Sequence, residues 1–184
     1  MFSEKKIAQV AAFFVSKAGG RLNHMKLLKL IYLSDRESLD QWGEPISYDS
    51  MVSMERGPVL SSTLNYINGD VRNADYWNSW IGDRAQHMVS LEQEFHSLDE
   101  LDQLSKAELE ILGRTWGAFG HMTQWDLSDY THDNCAEWSN PDKSAFPITY
   151  ESIFTALGRE SEEAAAMSEE LEAQKQLSNT LNSL

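Results

Sequence analysis

The chain has 184 residues, a formal net charge of −14 and a single cysteine, Cys135. That length is enough for one domain with its own core, and one cysteine excludes an intrachain disulfide and a cysteine-rich zinc site. The negative charge disfavours direct nucleic-acid binding, and no stretch reaches the roughly 18 apolar residues needed to span a bilayer, so we expect a cytoplasmic protein without membrane contact.

The charge is distributed unevenly along the sequence. Residues 1–40 carry seven Lys and Arg against four Asp and Glu, a net of +3, whereas the remainder carries eight against 25, a net of −17. An acidic surface of this kind suits a basic protein partner, but it also serves simply to keep a protein soluble. The charge pattern alone does not separate these two interpretations.

Two helices are predicted at the N-terminal end. Ser3 can cap a first helix over residues 4–18, and Asn23 can cap a second helix that Gly43 ends. Leucine, isoleucine and tyrosine leave residues 27–33 of the second helix with almost no polar face, which is typical of a helix in the middle of a domain.

The segment after the second helix contains the run VSMERGPVLSS. Residues 46–56 are predicted to be extended. Gly57 and Pro58 are predicted to open a third helix, because a proline at the first helical position loses no hydrogen bond there. Asn68-Gly69 is expected to end that helix.

One β-hairpin is predicted, in residues 76–95. Two short runs rich in aromatic and apolar residues flank Gly82-Asp83 there, as in a hairpin with a tight turn. This is the only convincing β signal in the sequence.

The C-terminal half of the chain is predicted to be helical. Capping residues and glycines mark the helix ends, and the last helix is rich in Glu and weakly amphipathic, as expected of a helix that packs loosely or waits for a partner. The predicted helices cover residues 106–119 after the capping box of Ser105 and Glu108, a short stretch from Thr123 to about Thr131, the stretch from Thr149 to Gly158, and residues 162–181.

The predicted fold class is therefore mainly α (α+β). We expect a compact helical domain over residues 1–158, with a small β-hairpin or short antiparallel sheet. Residues 159–184 are expected to form a C-terminal Glu-rich amphipathic helix or tail.

No pattern in the sequence predicts catalysis or metal binding. The five histidines are scattered outside any HExxH or HxH pattern, and phosphate-binding glycine loops are absent. His132 and Cys135 are three residues apart, but two ligands do not make a metal site, and Asp133-Asn134 between them suggests a turn. We expect no cofactor, no metal and no enzymatic activity; an enzyme that uses Asp35, His132 and Cys135 is the competing hypothesis.

Asp35 lies on the apolar face of the second helix, so its carboxylate needs hydrogen bonds or a counter-charge. We expect a structural role in which it holds backbone N–H groups or pairs with Arg56. Arg56 is then either the partner of Asp35 or an exposed anchor. Met51 and Met54 are adaptable apolar side chains of the kind that suits a binding surface.

Residues 119–138 are dense in Trp, His and Tyr. Aromatic side chains with polar ends are typical both of cores and of interface anchors. For Trp125 and Trp138 the sequence leaves these two roles open.

Three segments, which follow one another in the order typical of the family, resemble the Panacea domain. This is a largely helical family often found in phage and mobile-element genomes. The resemblance runs from about Ile7 to Gly158. The segments are MKLLKLIYLSDRESL (25–39), PIS…SMERGPVLSSTLNYING (45–69) and WGAFGHMTQWDLSDYTH…W (116–138).

Characterised Panacea proteins act as antitoxins: each binds and neutralises a toxin encoded beside it, and at least one delivers its toxin to a protease as an adaptor. The resemblance therefore implies an antitoxin of a type II toxin–antitoxin system whose partner is a cognate protein toxin. The alternative is a proteolytic adaptor, with a Clp-type protease as a second partner, or a phage-encoded regulator that binds a host protein, with residues 159–184 as a second contact. A homodimer is left open.

The resemblance also assigns individual positions. Gly57, Pro58 and Val59 match the family's most recognisable turn, and relatives often have His or an aromatic residue at the position of Arg56. The C-terminal aromatic-histidine motif of the family matches Ser128, Thr131, His132 and Trp138.

These assignments and the residue chemistry together predict a surface that binds the toxin. Structural roles are expected for Asp35, Gly57 and Pro58. The predicted partner-binding residues are Met54, Arg56, Trp125, His132 and Trp138.

Overall fold

A computed structural model describes residues 1–82 and 84–182 of the chain. Within these residues the fold is mainly α with small antiparallel sheets, which confirms the predicted class. The helices are α1 (Glu4–Lys17), α2 (His24–Trp42), α3 (Ser61–Asn68), α4 (Asp75–Trp80), α5 (Lys106–Phe119), α6 (Gln124–Asn134), α7 (Tyr150–Ala156) and α8 (Ser161–Asn182), and the strands are β1 (Arg21–Asn23), β2 (Met51–Met54), β3 (Gly57–Leu60), β4 (Met88–Ser90) and β5 (Phe146–Ile148).

The second helix, α2, runs through the middle of the domain, as predicted. Every residue from Leu27 to Asp35 is buried, and α2 packs against α1, α5, α6 and strand β3. The Asn23 side chain caps its start by accepting a hydrogen bond of 3.0 Å from the Met25 N–H. Gly43 ends it in the left-handed conformation, with a φ of 73°.

The strands form two separate antiparallel sheets. Strands β3, β2 and β5 make a three-stranded sheet with β2 in the centre, and β1 pairs with β4 in a second, two-stranded one. Strands β2 and β3 form a tight hairpin in which Met54 faces Gly57 across the turn. Residues 54–57 are called the hairpin tip below.

The prediction that Gly57 and Pro58 open a helix is wrong, because both residues lie in strand β3 and α3 begins only at Ser61. Strand β3 is an outer strand of its sheet, where the missing N–H of a proline is tolerated. The third helix takes its cap from Asp49, which is distant in sequence, instead of from a neighbouring residue.

The hairpin predicted over residues 76–95 is also largely wrong. Its first half forms α4, where Trp77 and Trp80, three residues apart, are both buried and α4 packs against α1. Its second half contains β4, whose partner strand is the distant β1. Of the predicted turn, Gly82 is described and Asp83 lies outside the described residues.

The capping box predicted for Ser105 and Glu108 forms at the start of α5, and Thr123 and Asp126 form another at the start of α6. Helix α6 continues to Asn134, however, so Asp133-Asn134 is helical and not a turn. Leu127 and Thr131 on one face of α6 are fully buried. This packing extends the helix past the point that its weak local pattern predicts.

The last helix, α8, packs along α7. Ala164 and Leu171 of α8 are buried, whereas the Leu177 side chain is 63% exposed. The Arg159 guanidinium, just before α8, pairs with Asp40 of α2 at 3.0 Å. The weakly amphipathic pattern predicted from the sequence thus corresponds to a helix that packs on the domain mainly through its first half.

Candidate interaction surface

The hairpin tip is fixed to the α6 side of the domain by two hydrogen bonds. The Ser128 hydroxyl donates to the Arg56 carbonyl oxygen at 2.9 Å, and the Trp138 Nε1–H donates to the Met54 carbonyl oxygen at 2.9 Å. Both acceptors are backbone atoms. The tip therefore has a defined position that does not depend on its own side chains.

Arg56 and Trp125 lie together at the surface. The Arg56 guanidinium carbon is 4.8 Å from the centre of the Trp125 ring, within the range of a cation–π contact, and the Trp125 side chain is 53% exposed. No described residue accepts a hydrogen bond from this guanidinium or forms an ion pair with it, so its N–H donors face solvent. An ordered arginine without a carboxylate partner is thus displayed beside the tip.

A groove of about 270 Å³ separates the hairpin tip from the start of α2. Met54 and Arg56, two of the predicted contact residues, both line it. We call it the tip groove; its lining consists of His24, Met25, Leu28, Lys29, Met54, Glu55, Arg56, Val59 and Leu64.

His132 and Trp138 lie behind the tip and not on its outer surface. Their rings stack at a centroid distance of 3.9 Å and an angle of 11°, and both are only half-buried. Burial, followed by the nearby Lys29 ammonium, lowers the pKa of His132, which keeps the imidazole neutral at pH 7. Its Nε2 is buried without a hydrogen-bond partner. Of the five predicted contact residues, Met54, Arg56 and Trp125 lie at or beside the tip. The stacked His132 and Trp138 support them.

A buried lysine that the sequence analysis did not single out lies directly beneath the tip. Lys29 is fully buried, and its Nζ donates to the Pro58 carbonyl oxygen at 2.8 Å. Burial lowers the pKa of Lys29 to about 7. The available signal was its position as the one cation inside the apolar run of residues 27–33.

Because Gly57 has no side chain, the Lys29 ammonium group can lie against its backbone. A Cβ at this position would lie 2.7 Å from the Lys29 Nζ and 2.7 Å from the Thr131 Oγ1, and the φ of Gly57 is +102°. A side chain would therefore be strained both by the backbone conformation and by its neighbours. Gly57 and Pro58 therefore allow the β2–β3 hairpin to pack closely against α2.

Asp35 begins a buried polar relay that joins α2 to α3 through the loop before β2. It accepts hydrogen bonds from the Ser47 N–H at 2.8 Å and from the Ser47 hydroxyl, and the Ser47 oxygen in turn accepts from the Asp49 N–H at 3.1 Å. Asp49 then caps α3 through the N–H groups of Ser62 and Thr63. The Asp35–Arg56 pair considered from the sequence does not form.

The residues of the competing enzyme hypothesis do not assemble into a reactive site. Burial raises the pKa of the Cys135 thiol to about 12, so the thiol is protonated at neutral pH and is a poor nucleophile. The Asp35 carboxylate is occupied by Ser47. Burial raises the pKa of Asp35 to about 7, and the hydrogen bonds from Ser47 oppose this rise.

Among residues 1–82 and 84–182, no three His, Cys, Asp or Glu side chains come together as candidate metal ligands. No helix within the same ranges has the length and hydropathy required to cross a membrane.

Comparison with protein families agrees with the resemblance seen in the motifs. Residues 27–139, more than half of the chain, match the family described as "Antitoxin SocA-like, Panacea domain". The matched range contains most of α2, the β2–β3 hairpin, α6 and Trp138, which build the tip and its support. Neither curated proteins nor solved structures gave a significant match. The chain belongs to the Panacea-domain family of SocA-like antitoxins.

Proposed function

We propose that this protein is the antitoxin of a type II toxin–antitoxin system and that it neutralises a cognate protein toxin by direct binding. One observation carries the proposal beyond the family assignment: Arg56 is held over an exposed Trp125 beside an open apolar groove. The proposal includes a cytoplasmic location, a phage or mobile-element origin and no enzymatic activity of the chain itself.

The chemistry of this surface supports binding to a protein. Trp and Arg are enriched among the residues that dominate the affinity of protein interfaces. The two backbone hydrogen bonds to the tip hold its residues in place before a partner arrives. Little conformational entropy then remains to be lost on binding.

The charge of the chain supports a basic partner at longer range. Residues 41–184 carry a net charge of −17, and a field of this sign raises the association rate of a positively charged protein. Charge of this kind chiefly sets the rate of encounter, whereas a few buried anchors set the lifetime of the complex.

A second candidate is a proteolytic adaptor that passes its partner to a Clp-type protease, or a regulator that binds a host protein. The observation that favours it is the exposed Leu177 on the outer half of α8. We would replace Leu177 with Asp, which leaves the packed residues Ala164 and Leu171 unchanged, and follow degradation of the partner. Equal turnover with both proteins would remove α8 from this mechanism.

Co-expression with the product of the adjacent gene tests the antitoxin proposal. We expect the adjacent gene to arrest growth alone, this protein to restore growth, and the two proteins to copurify. The proposal fails if the neighbour is harmless by itself, or if it stays toxic in the presence of this protein.

Matched variants then locate the surface. A variant with Ala at Met54, Arg56 and Trp125 is expected to lose rescue. The control carries Ala at Trp42 and Arg72, an exposed tryptophan and an exposed arginine that do not line the tip groove. Rescue by both variants would place the contact elsewhere on the protein.

A further inference from the structure

The tip groove combines an apolar lining with an arginine that has no carboxylate partner among the described residues. Its volume of about 270 Å³ is below the roughly 300–1,000 Å³ of typical small-molecule sites. That size suits one or two side chains of a bound polypeptide. The apolar part of the lining is formed by Met25, Leu28, Met54, Val59 and Leu64.

Arg56 is one of four described arginines without a carboxylate partner, and among the described arginines it alone lies over an aromatic ring. Arg36, Arg114 and Arg159 each pair with a carboxylate at 2.7–3.0 Å. Arg56 instead rests on an aromatic ring and, within the described residues, has no such partner. Its planar guanidinium presents donors in a fork that matches a carboxylate.

The other groups that line the groove leave this preference for an anion in place. Glu55 is the acidic residue of the lining, and its charge is offset by Arg56 and by Lys29, whose pKa of about 7 leaves it partly protonated at neutral pH. Burial lowers the pKa of His24, so its imidazole is neutral at pH 7. The groove therefore carries no net negative charge, although the chain as a whole carries −14.

We propose that the tip groove binds a short segment of a protein partner in which an apolar side chain lies next to an Asp or Glu. The apolar side chain enters the groove, and the carboxylate pairs with the Arg56 guanidinium. The inference rests on the proposed function, since the segment would belong to the toxin.

A local preference for a carboxylate is compatible with a basic partner. At physiological ionic strength, charges are screened over about 8 Å. The acidic body attracts the partner as a whole during approach, whereas Arg56 selects one carboxylate at contact. The apolar–acidic pair then fixes the register of the complex.

Panning a displayed library of random 12-residue peptides against the full chain tests the inference without the toxin. We expect enriched peptides to place Asp or Glu within a few residues of Leu, Met or Phe. Binding of these peptides is then measured by fluorescence polarisation. Replacing the peptide acid with its amide, or Arg56 with Ala, should each weaken binding about 10- to 100-fold, the range for a hydrogen-bonded charge.

Controls separate the contact from a general effect on charge. Arg72→Ala removes an exposed arginine that does not line the groove and is expected to leave binding unchanged. Arg56→Lys keeps the charge but loses the fork and should restore only part of the affinity. The inference is overturned if no peptide is enriched, if the enriched peptides are neutral or basic, or if Arg56→Ala binds them as well as the unmodified chain does.

The outcome is distinguishable from failure of the proposed function. If the adjacent gene product is neutralised but Arg56→Glu neutralises it equally well, the antitoxin function stands and the inference fails. If acidic–apolar peptides bind as expected and no toxin is neutralised, the groove chemistry stands and the antitoxin function fails.

Discussion

Replacing Asp49 with Ala removes the cap of α3 and one end of the polar relay. Asp49 is 2% exposed and accepts hydrogen bonds from the Ser50, Ser62 and Thr63 N–H groups and from the Thr63 hydroxyl at 2.6–2.9 Å. Thr63 is fully buried, so water cannot replace the acceptor for its two donors. At about 1–3 kcal/mol for each unsatisfied buried donor, we expect a loss of about 3–5 kcal/mol of unfolding free energy.

Urea denaturation followed by circular dichroism measures this loss. The expected change is a large part of the roughly 5–15 kcal/mol that stabilises a typical domain, and the urea midpoint should fall with an unchanged slope. Asp49→Asn is the matched variant, because its amide keeps one oxygen acceptor, and we expect it to lose about 2 kcal/mol. A loss below about 1 kcal/mol for Asp49→Ala would refute the view that this carboxylate organises α3.

Three further predictions concern the residues under and around the hairpin tip. Burial lowers the pKa of Lys29 in the folded protein to about 7, whereas in the unfolded chain it stays near its usual ~10.4. Because the unfolded chain then binds more protons, the free energy of unfolding should rise by about 2 kcal/mol from pH 7 to pH 9. Urea denaturation at the two pH values should show this rise in the unmodified protein and not in Lys29→Met, and an equal rise in both proteins would contradict the prediction. Gly57→Ala should cost about 2–3 kcal/mol of unfolding free energy, and Gly69→Ala only about 1 kcal/mol. Both glycines have a positive φ, but a Cβ at Gly69 meets open space. Equal losses of thermal stability in the two variants would argue against crowding at Gly57. Trp138→Phe should lose about 1–2 kcal/mol with the bond to the Met54 carbonyl and speed amide exchange at the tip, whereas unchanged exchange would mean that this bond does not hold it.

Helices with their signals close in sequence could be predicted from the sequence alone. Ser105 and Glu108 form the capping box that starts α5, and both partners lie within four residues. The start of α3 could not be located in this way. Its cap comes from Asp49, 14 residues before Thr63. A Gly-Pro pair is compatible both with a helix start and with an edge strand, and here Pro58 pairs with Ser53 across the tight turn.

The hairpin error over residues 76–95 has a similar cause. A run of aromatic residues is compatible with a strand or with a helix face, and only the packing of α4 against α1 decides between them. Strand β1 pairs with β4, which is more than 60 residues away. A pairing over that separation leaves no trace in either three-residue strand.

The candidate surface could be predicted in its parts but not in its arrangement. The sequence and the family motifs indicated Met54, Arg56 and Trp125 separately, yet nothing in the spacing showed that the Arg56 guanidinium would lie over the Trp125 ring. Lys29 could be recognised from the sequence as the one cation in the apolar run of residues 27–33, whereas its hydrogen bond to the Pro58 carbonyl oxygen could not.

The attachment of the hairpin tip has a consequence for how its specificity can evolve. Both anchoring bonds end on backbone carbonyl oxygens, those of Met54 and Arg56, and every amino acid possesses that atom. Either side chain can therefore be exchanged while the loop keeps its position. Gly57 beside them has no such freedom, because a Cβ would meet Lys29. If the proposed function holds, new partners can be accommodated by changing residues 54–56 on an unchanged scaffold, much as binding loops vary on a rigid framework.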